Sequence, residues 1–172
     1  MKRNLNIILL ALRAIIIVVG AICLYHLASL YSVLINDYDA TTIITSYFKP
    51  SAGIADVWAI PLFLGLFSAL LGYLVFVLVR LYKSFDNLQK GNVFYTKQSK
   101  EFKAAGNGII IFAKCKYLLF CSFGALPFHD FGIFFKEVAP FLVVYLLGKL
   151  ILVLYYLAEK GEYLREETEL TV

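Results

Sequence analysis

Charged side chains are scarce in this chain. They make up 16% of its 172 residues, whereas hydrophobic residues make up 61%, and a soluble domain carries about 25% charged residues. The mean hydropathy is +0.79. Because a water-soluble protein of this composition would expose large apolar patches, the composition excludes that class and indicates that the chain resides in a lipid bilayer.

The residue types that build catalytic, metal and disulfide sites are also few, with two histidines and three cysteines. Cys23, Cys115 and Cys121 lie in apolar runs without the spacing of metal ligands, so we expect free, packed thiols. His129 precedes Asp130, but no serine or cysteine nucleophile accompanies this pair. Since no glycine-rich phosphate loop is present either, we predict a protein that is not an enzyme and that holds no metal or cofactor.

Four apolar stretches are each long enough for a membrane-spanning helix, which needs about 20 mostly apolar residues. The N-terminal stretch follows a basic start, as in a signal peptide, but it exceeds the roughly 7–15 apolar residues of a signal sequence, so we expect it to remain as a helix. The prediction is an all-α protein, a four-span transmembrane helical bundle that forms a single domain. The predicted spans cover residues 14–34, 57–79, 105–126 and 138–158 of the 1–172 chain.

Positive charge is distributed unequally between the two sides of these spans. Lys2 and Arg3 precede the first span, six cations lie in the middle loop at residues 80–104, and two more follow the last span. The other side carries only Lys49 and Lys136. Because lysine and arginine concentrate in cytoplasmic loops, both termini and the middle loop are predicted to be cytoplasmic. The basic charge therefore indicates topology, and we expect no direct nucleic-acid binding.

The two predicted cytoplasmic segments have opposite charge. The loop at residues 80–104 carries six cations against two carboxylates, net +4, and helices are expected to protrude from the membrane on both sides of a turn at Gly91. The tail at residues 159–172 carries five glutamates against two cations, net −3. Either the tail contacts the loop or a soluble partner, or both segments are independent solvated surfaces, because exposed ion pairs contribute little. The candidate contact residues are Lys97, Lys100, Lys103, Glu162, Glu166, Glu167 and Glu169.

Two motifs in these segments resemble a known family. A Gly-Asn-x-Phe turn with a polar helix start precedes the third span, and the chain closes with Gly-x-x-Leu-x-x-Glu-x-Glu-Leu-Thr-Val. Both are similar to the bacterial integral-membrane family catalogued as domain of unknown function 2975, and the resemblance covers essentially the whole chain. It implies a four-span protein of the bacterial cytoplasmic (inner) membrane without an established activity, often encoded beside a helix-turn-helix regulator of the Xre type. The matching residues are Gly91, Asn92, Phe94, Thr96, Gly161, Leu164, Glu167, Glu169, Leu170, Thr171 and Val172.

Four cations lie within or beside the apolar spans. Measured from the predicted ends of the third and fourth spans, Lys114 and Lys149 each lie roughly 13 Å from the cytoplasmic edge, and Arg13 lies nearer that edge on the first span. No aspartate or glutamate is expected at this depth. Lys114 and Lys116 are two positions apart, or about 200° around a helix, so they cannot share a face.

Three interpretations of these cations are open. In the first, the lysines snorkel to the inner headgroups. In the second, Lys114 or Lys116 joins Lys149 in a pocket for an anionic lipid, another anion or an acidic group of a partner. In the third, the third span is tilted, is broken near Gly106-Asn107-Gly108, or lines a water-filled cavity.

The function that the sequence supports best is a non-enzymatic, membrane-resident regulatory or binding module that contacts a cytoplasmic partner, such as a helix-turn-helix transcriptional regulator. The alternative is a small transporter or channel, or an anionic-lipid-binding protein that uses the inner lysines. Transport would need a continuous polar path, and the outer half of the spans offers little beyond His26. We expect His26 to be a packed polar residue that bonds a neighbouring helix.

Overall fold

Four long helices make up nearly all of the described residues. The computed structural model describes residues 2–36, 45–49, 58–89 and 98–170, and no β-strand occurs among them. The prediction of an all-helical protein is confirmed. The helices are α1 (Lys2–Asn36), α2 (Ala59–Gln89), α3 (Gln98–Ala125) and α4 (Ile133–Leu170), and each predicted span corresponds to one of them.

Each of these helices is long and apolar enough to cross a bilayer. Even the shortest, α3 with 28 residues, measures about 42 Å at 1.5 Å per residue and exceeds the roughly 30 Å of hydrocarbon. The surface is apolar as well, since many large aliphatic side chains on α1 and α4 are exposed, among them Leu10, Ile17, Leu142 and Leu150. Lipid tails solvate such a surface and water does not, so the chain is a multi-pass membrane protein in contact with the bilayer.

Neighbouring helices run antiparallel, so the bundle has two distinct ends. Arg13 near the start of α1 contacts Tyr82 near the end of α2, while Leu30 lies against Gly65 early in α2. We call the end that holds the start of α1 and the end of α4 the terminal end, and the opposite one the distal end. The helices pack in chain order, and α2 and α3 are central, with 39% and 44% of their apolar segments buried against 6% for α1 and for α4.

Two buried clusters fill the bundle, one towards each end. The distal cluster is rich in phenylalanine, and the rings of Phe63 and Phe120 meet edge to face within it at 5.3 Å. The second cluster, which we call the terminal cluster, includes Phe102, and the ring of Phe85 packs against it with the two ring centres 5.5 Å apart. Since one member of each pair belongs to α2 and the other to α3, these aromatic contacts set the register of the two central helices.

Helices α3 and α4 approach closely because both present glycine at their contact. A methyl group at Gly148 would lie 2.6 Å from Ile110 Cγ1 and 3.1 Å from the carbonyl oxygen of Gly106, and one at Gly106 would lie 2.9 Å from Leu152. Small residues allow membrane helices to pack backbone against backbone, which gains the dispersion contacts that hold such helices together.

The same region contradicts the alternative of a broken third span. Helix α3 continues without interruption through Gly106, Asn107 and Gly108. Gly108 faces α2, where a methyl group would lie 2.6 Å from a methyl of Val77, while Gly106 faces α4. The two glycines therefore serve close packing on two sides of α3, and the flexibility that glycine brings is restrained by both neighbours.

A tight turn joins α3 to α4 at the distal end. The backbone N–H of Asp130 donates to the carbonyl of Gly124 at 2.7 Å, which satisfies one of the free carbonyls at the end of α3. His129 has a φ of 49°, in the left-handed region that reverses the chain. The Asp130 carboxylate accepts the N–H of Gly132 at 3.2 Å with one oxygen, so its other oxygen can bond elsewhere.

Candidate functional site

One membrane lysine is paired with a carboxylate on the neighbouring helix. Lys116 Nζ on α3 donates to Glu137 Oε2 on α4 at 2.5 Å, and the two side chains are 24% and 10% exposed. The ammonium also lies 4.8 Å from the centre of the Phe120 ring. The expectation of no carboxylate at this depth is therefore wrong, because α4 begins before the predicted span, at Ile133, and carries Glu137 into contact with α3.

Lys114 faces away from this pair, as the two-residue spacing predicts. Its side chain is exposed on α3. Lys149 on α4 is exposed as well, and its Nζ lies 5.6 Å from the ring centre of Tyr145 on the same helix. Exposed lysines on membrane helices extend along the helix surface to place the ammonium among headgroups, and both side chains have the exposure that this requires.

The two exposed lysines do not lie at the same level. Gly148 packs between Gly106 and Ile110 of α3, so Lys149 is level with about residue 107. Lys114 lies about seven residues, or roughly 10 Å, further towards the distal end. The arrangement thus separates Lys149 from Lys114 along the bundle, and Lys116 is already engaged with Glu137.

Arg13 is engaged where α1 packs on α2. Its Nε donates to the Tyr82 hydroxyl at 2.7 Å, and a terminal guanidinium nitrogen donates to the same oxygen. The guanidinium carbon lies 5.1 Å from the centre of the Tyr82 ring. Arg13 therefore tethers α1 to α2, and an anion bound to this arginine would compete with the tether.

At the terminal end, one of the predicted contact residues bridges α3 and α4. Lys103 Nζ lies 5.0 Å from the ring centre of Tyr155, a distance at which a cation is attracted to the ring. The Tyr155 hydroxyl donates to Glu159 Oε1 at 2.6 Å. Because Glu159 opens the acidic tail and Lys103 closes the basic segment, the two segments meet at this tyrosine.

The other predicted contact residues fall at the edges of the described structure. Lys100 is exposed in the first turn of α3. Four glutamates lie on the last part of α4, which continues as a helix to Leu170, namely Glu162, Glu166, Glu167 and Glu169. Lys97 lies outside the described residues, as do Gly91, Asn92, Phe94, Thr96, Thr171 and Val172 of the two sequence motifs.

His26 is buried at the distal end and bonded to a residue of the first connection. Its side chain is 1% exposed, and its Nε2 lies 2.8 Å from the Tyr47 hydroxyl. No hydrogen bond to Nδ1 occurs within the described part of the chain. His26 is packed and bonded as predicted, but its partner belongs to residues 45–49, which we call the distal segment, and not to a neighbouring span.

Tyr47 provides this bond as a neutral phenol. Burial raises the pKa of its hydroxyl above the ordinary value of 10.0, and the nearby Tyr25 hydroxyl raises it further. The proton is therefore retained throughout the physiological pH range, and the hydrogen bond with His26 does not depend on ionisation of the tyrosine.

Two further polar contacts hold the distal segment in place. Lys136 Nζ on α4 donates to the carbonyl of Tyr47 at 3.2 Å, and the backbone N–H of Lys49 donates to Asp130 Oδ2 at 2.9 Å. Between them, the Phe48 ring is buried in the distal cluster. The distal segment thereby connects α1, the α3–α4 turn and α4 in a single network.

No group of three or more histidine, cysteine, aspartate or glutamate side chains is close enough to hold a metal ion within residues 2–36, 45–49, 58–89 and 98–170. Cys23, Cys115 and Cys121 are free thiols. The polar contacts described above join neighbouring helices, and some of them involve charged side chains.

Two residues that organise these contacts were missed by sequence reasoning. Glu137 is a single carboxylate beside the fourth apolar stretch, and this position was its only sequence signal. Tyr47 is one of many aromatic residues, and nothing in its neighbourhood distinguishes it as a partner of His26. Both partnerships depend on the register between distant elements, which local patterns do not encode.

A family comparison adds to this geometry. A family profile described as Protein of unknown function (DUF2975) matches residues 44–172, which is 129 of the 172 residues. The chain belongs to this family. No curated protein and no solved structure matches it. The match begins at residue 44, so α1 lies outside it, and the resemblance is narrower than the whole-chain extent that the motifs predicted.

The DUF2975 match contains most of the contacts described above, including both members of the Lys116–Glu137 pair. Arg13 and His26 lie outside it on α1, but each is bonded to a tyrosine inside it, Tyr82 and Tyr47 respectively. These two hydroxyl groups, one towards each end of the bundle, are therefore polar links between α1 and the DUF2975 region.

Proposed function

We propose that this protein is a non-enzymatic regulatory or binding module of the bacterial cytoplasmic membrane. Both termini and the connection between α2 and α3 lie in the cytoplasm, and the terminal end contacts a soluble partner there. The partner is a helix-turn-helix transcriptional regulator, as the family resemblance implies. The observation that carries the proposal is a helical stem, packed at its base, that projects from the terminal end beyond the apolar spans.

The length of this stem follows from the helix bounds. Helix α2 continues ten residues beyond the predicted span that ends at residue 79, α4 continues twelve beyond residue 158, and α3 begins seven before residue 105. At 1.5 Å per residue, the extensions project about 10 to 18 Å. A soluble protein can reach a surface of this height without entering the headgroup region.

The base of the stem is packed. Leu81 of α2, Phe102 of α3 and Ala158 of α4 are each buried in the terminal cluster. Lys103 and Glu159 meet through Tyr155 at the base of the stem. Three helices held together at this base bring the exposed Lys100 and Lys103 of α3 to the same end of the bundle as Glu159 of α4.

Charge supports the proposed orientation. The connection between α2 and α3 is part of a segment of net +4, and the side of the membrane that holds the distal segment carries two lysines. Positive residues are retained in the cytoplasm during insertion. The buried phenylalanines of the distal cluster occupy the interior of the bundle where a polar path would run, which favours a binding module over the transport alternative.

The test is recruitment of the regulator to membranes. The protein is co-expressed with a helix-turn-helix regulator of the Xre type, membrane vesicles are floated in a density gradient, and the regulator is quantified in the floated fraction. We expect recruitment by the full chain, loss of recruitment when residues 162–172 are removed, and unchanged recruitment with Lys114→Gln, which removes an exposed charge outside the stem. A regulator that remains in the soluble fraction with the full chain would contradict the proposal.

A further inference from the structure

A cleft between α2 and α3 at the terminal end is lined mainly by positively charged side chains. Its volume is about 460 Å³, and it is lined by Arg80 and Lys83 of α2 and by Lys100, Glu101 and Ala104 of α3. Among the described residues, three cations and one carboxylate line this cleft, so positive charge is in excess there whatever contact the carboxylate makes.

The side chains that line the cleft come from one face of each helix. Arg80 and Lys83 are three residues apart and Lys100 and Ala104 are four apart, so each pair shares a face of its helix. The contact between the rings of Phe85 and Phe102 holds α2 and α3 side by side at this level, and the cleft lies beside that contact. Ala104 is small, which leaves space between the helices.

The arginine is held in a defined place. Its guanidinium carbon lies 4.6 Å from the centre of the Phe76 ring, one turn earlier on α2. A guanidinium that is stacked on a ring keeps its N–H groups free to bond an anion in the plane, commonly through two parallel hydrogen bonds to a phosphate. The lysines add mobile charges that adjust to the position of the ligand.

The level of the cleft indicates where its ligand lies. Arg80 is the first charged residue after the apolar part of α2, so the cleft opens where hydrocarbon gives way to headgroups. Three cations that repel one another at this level are stabilised when an anion enters between them. We propose that the cleft binds the phosphate group of an anionic ligand, supplied either by a phospholipid headgroup or by a soluble phosphate compound.

The experiment measures the thermal unfolding midpoint of the full chain in detergent against the concentration of three probes: dioctanoyl phosphatidylglycerol, dioctanoyl phosphatidylcholine and inorganic phosphate. The cleft variant carries Arg80→Gln, Lys83→Gln and Lys100→Gln together. The matched control carries Lys49→Gln, Lys114→Gln and Lys149→Gln, which removes the same charge from exposed positions outside the cleft. If the cleft variant fails to fold, Lys100→Gln alone replaces it.

We expect phosphatidylglycerol to raise the midpoint at lower concentration than phosphatidylcholine. The cleft variant should lose at least about tenfold in apparent affinity, because each lost cation removes a charge-assisted contact, and the control should retain its affinity. A rise of the midpoint at lower concentration of inorganic phosphate than of phosphatidylglycerol identifies a soluble phosphate compound as the ligand, and the reverse order identifies a lipid headgroup. The proposal is overturned if none of the probes binds, if the cleft variant retains its affinity, or if the control loses as much as the cleft variant.

Discussion

Lys116 and Glu137 form an ion pair across the interface between α3 and α4, with the lysine partly exposed and the glutamate nearly buried. Either charge alone is costly in hydrocarbon, so each member of the pair stabilises its partner. The pair and the Gly106–Gly148 contact lie on the same interface. Together these two contacts fix the register of α4 along α3.

Removing the lysine from this pair should destabilise the protein. Lys116→Leu leaves Glu137 without its partner, and we expect the free energy of unfolding to fall by about 1–3 kcal/mol, less than for a fully buried pair because the lysine is partly exposed. The same substitution at Lys114 or Lys149, both exposed, should leave stability unchanged or raise it. Unfolding by denaturing detergent measures all three variants, and an equal loss in all three would refute a specific pair.

The glycine contact should not tolerate even a methyl group. Gly148→Ala places a methyl 2.6 Å from Ile110 Cγ1, and we expect about 1–3 kcal/mol of destabilisation from overpacking. Gly72→Ala is the matched control, since no atom lies within 4 Å of a methyl at that position and alanine favours the helix by about 1 kcal/mol. Thermal unfolding in detergent compares the two, and similar stability would show that α3 and α4 are not in close contact.

The bond between His26 and Tyr47 should stabilise the distal end. Tyr47→Phe removes the hydroxyl and leaves a buried histidine without its hydrogen bond, which costs about 1–3 kcal/mol. Tyr31→Phe serves as control because Tyr31 is exposed on α1. Limited proteolysis from the distal side should cleave the distal segment faster in the Tyr47 variant alone, and equal cleavage of both variants would argue against the bond.

Alkaline pH should weaken the distal end through the same tyrosine. Because burial raises the pKa of Tyr47 above 10.0 in the folded protein, its contribution to stability is constant below the unfolded pKa and is lost as pH rises through the folded pKa. The unfolding midpoint, measured from about pH 8 to pH 11, should therefore fall more steeply above pH 10 in the unmodified chain than in Tyr47→Phe. Parallel curves would show that folding does not raise the pKa of Tyr47.

The four helices could be predicted because their signal is local. Length and apolarity alone identify a span, and the angle between successive residues alone places Lys114 and Lys116 on different faces. The extent of α2 to Gln89 also follows from its sequence, in which no glycine or proline occurs between the end of the apolar stretch and Gly91.

The candidate site could not be predicted to the same degree, because it depends on register. The depth of Lys149 was counted from the ends of the apolar stretches, whereas the close approach of Gly106 and Gly148 sets the actual level of α4 beside α3. The glycines near Lys114 suggested a break when only one helix was considered. Their packing role becomes visible only with Val77 on one side and Leu152 on the other.

The distal segment has a consequence for biosynthesis. Tyr47 and Lys49 are made early, but their partners Lys136 and Asp130 follow more than eighty residues later. The segment between the first two helices can therefore reach its final contacts only after the α3–α4 turn and the start of α4 have been synthesised. The distal network forms late in synthesis, and it forms only when the start of α4 lies at the distal end of the bundle.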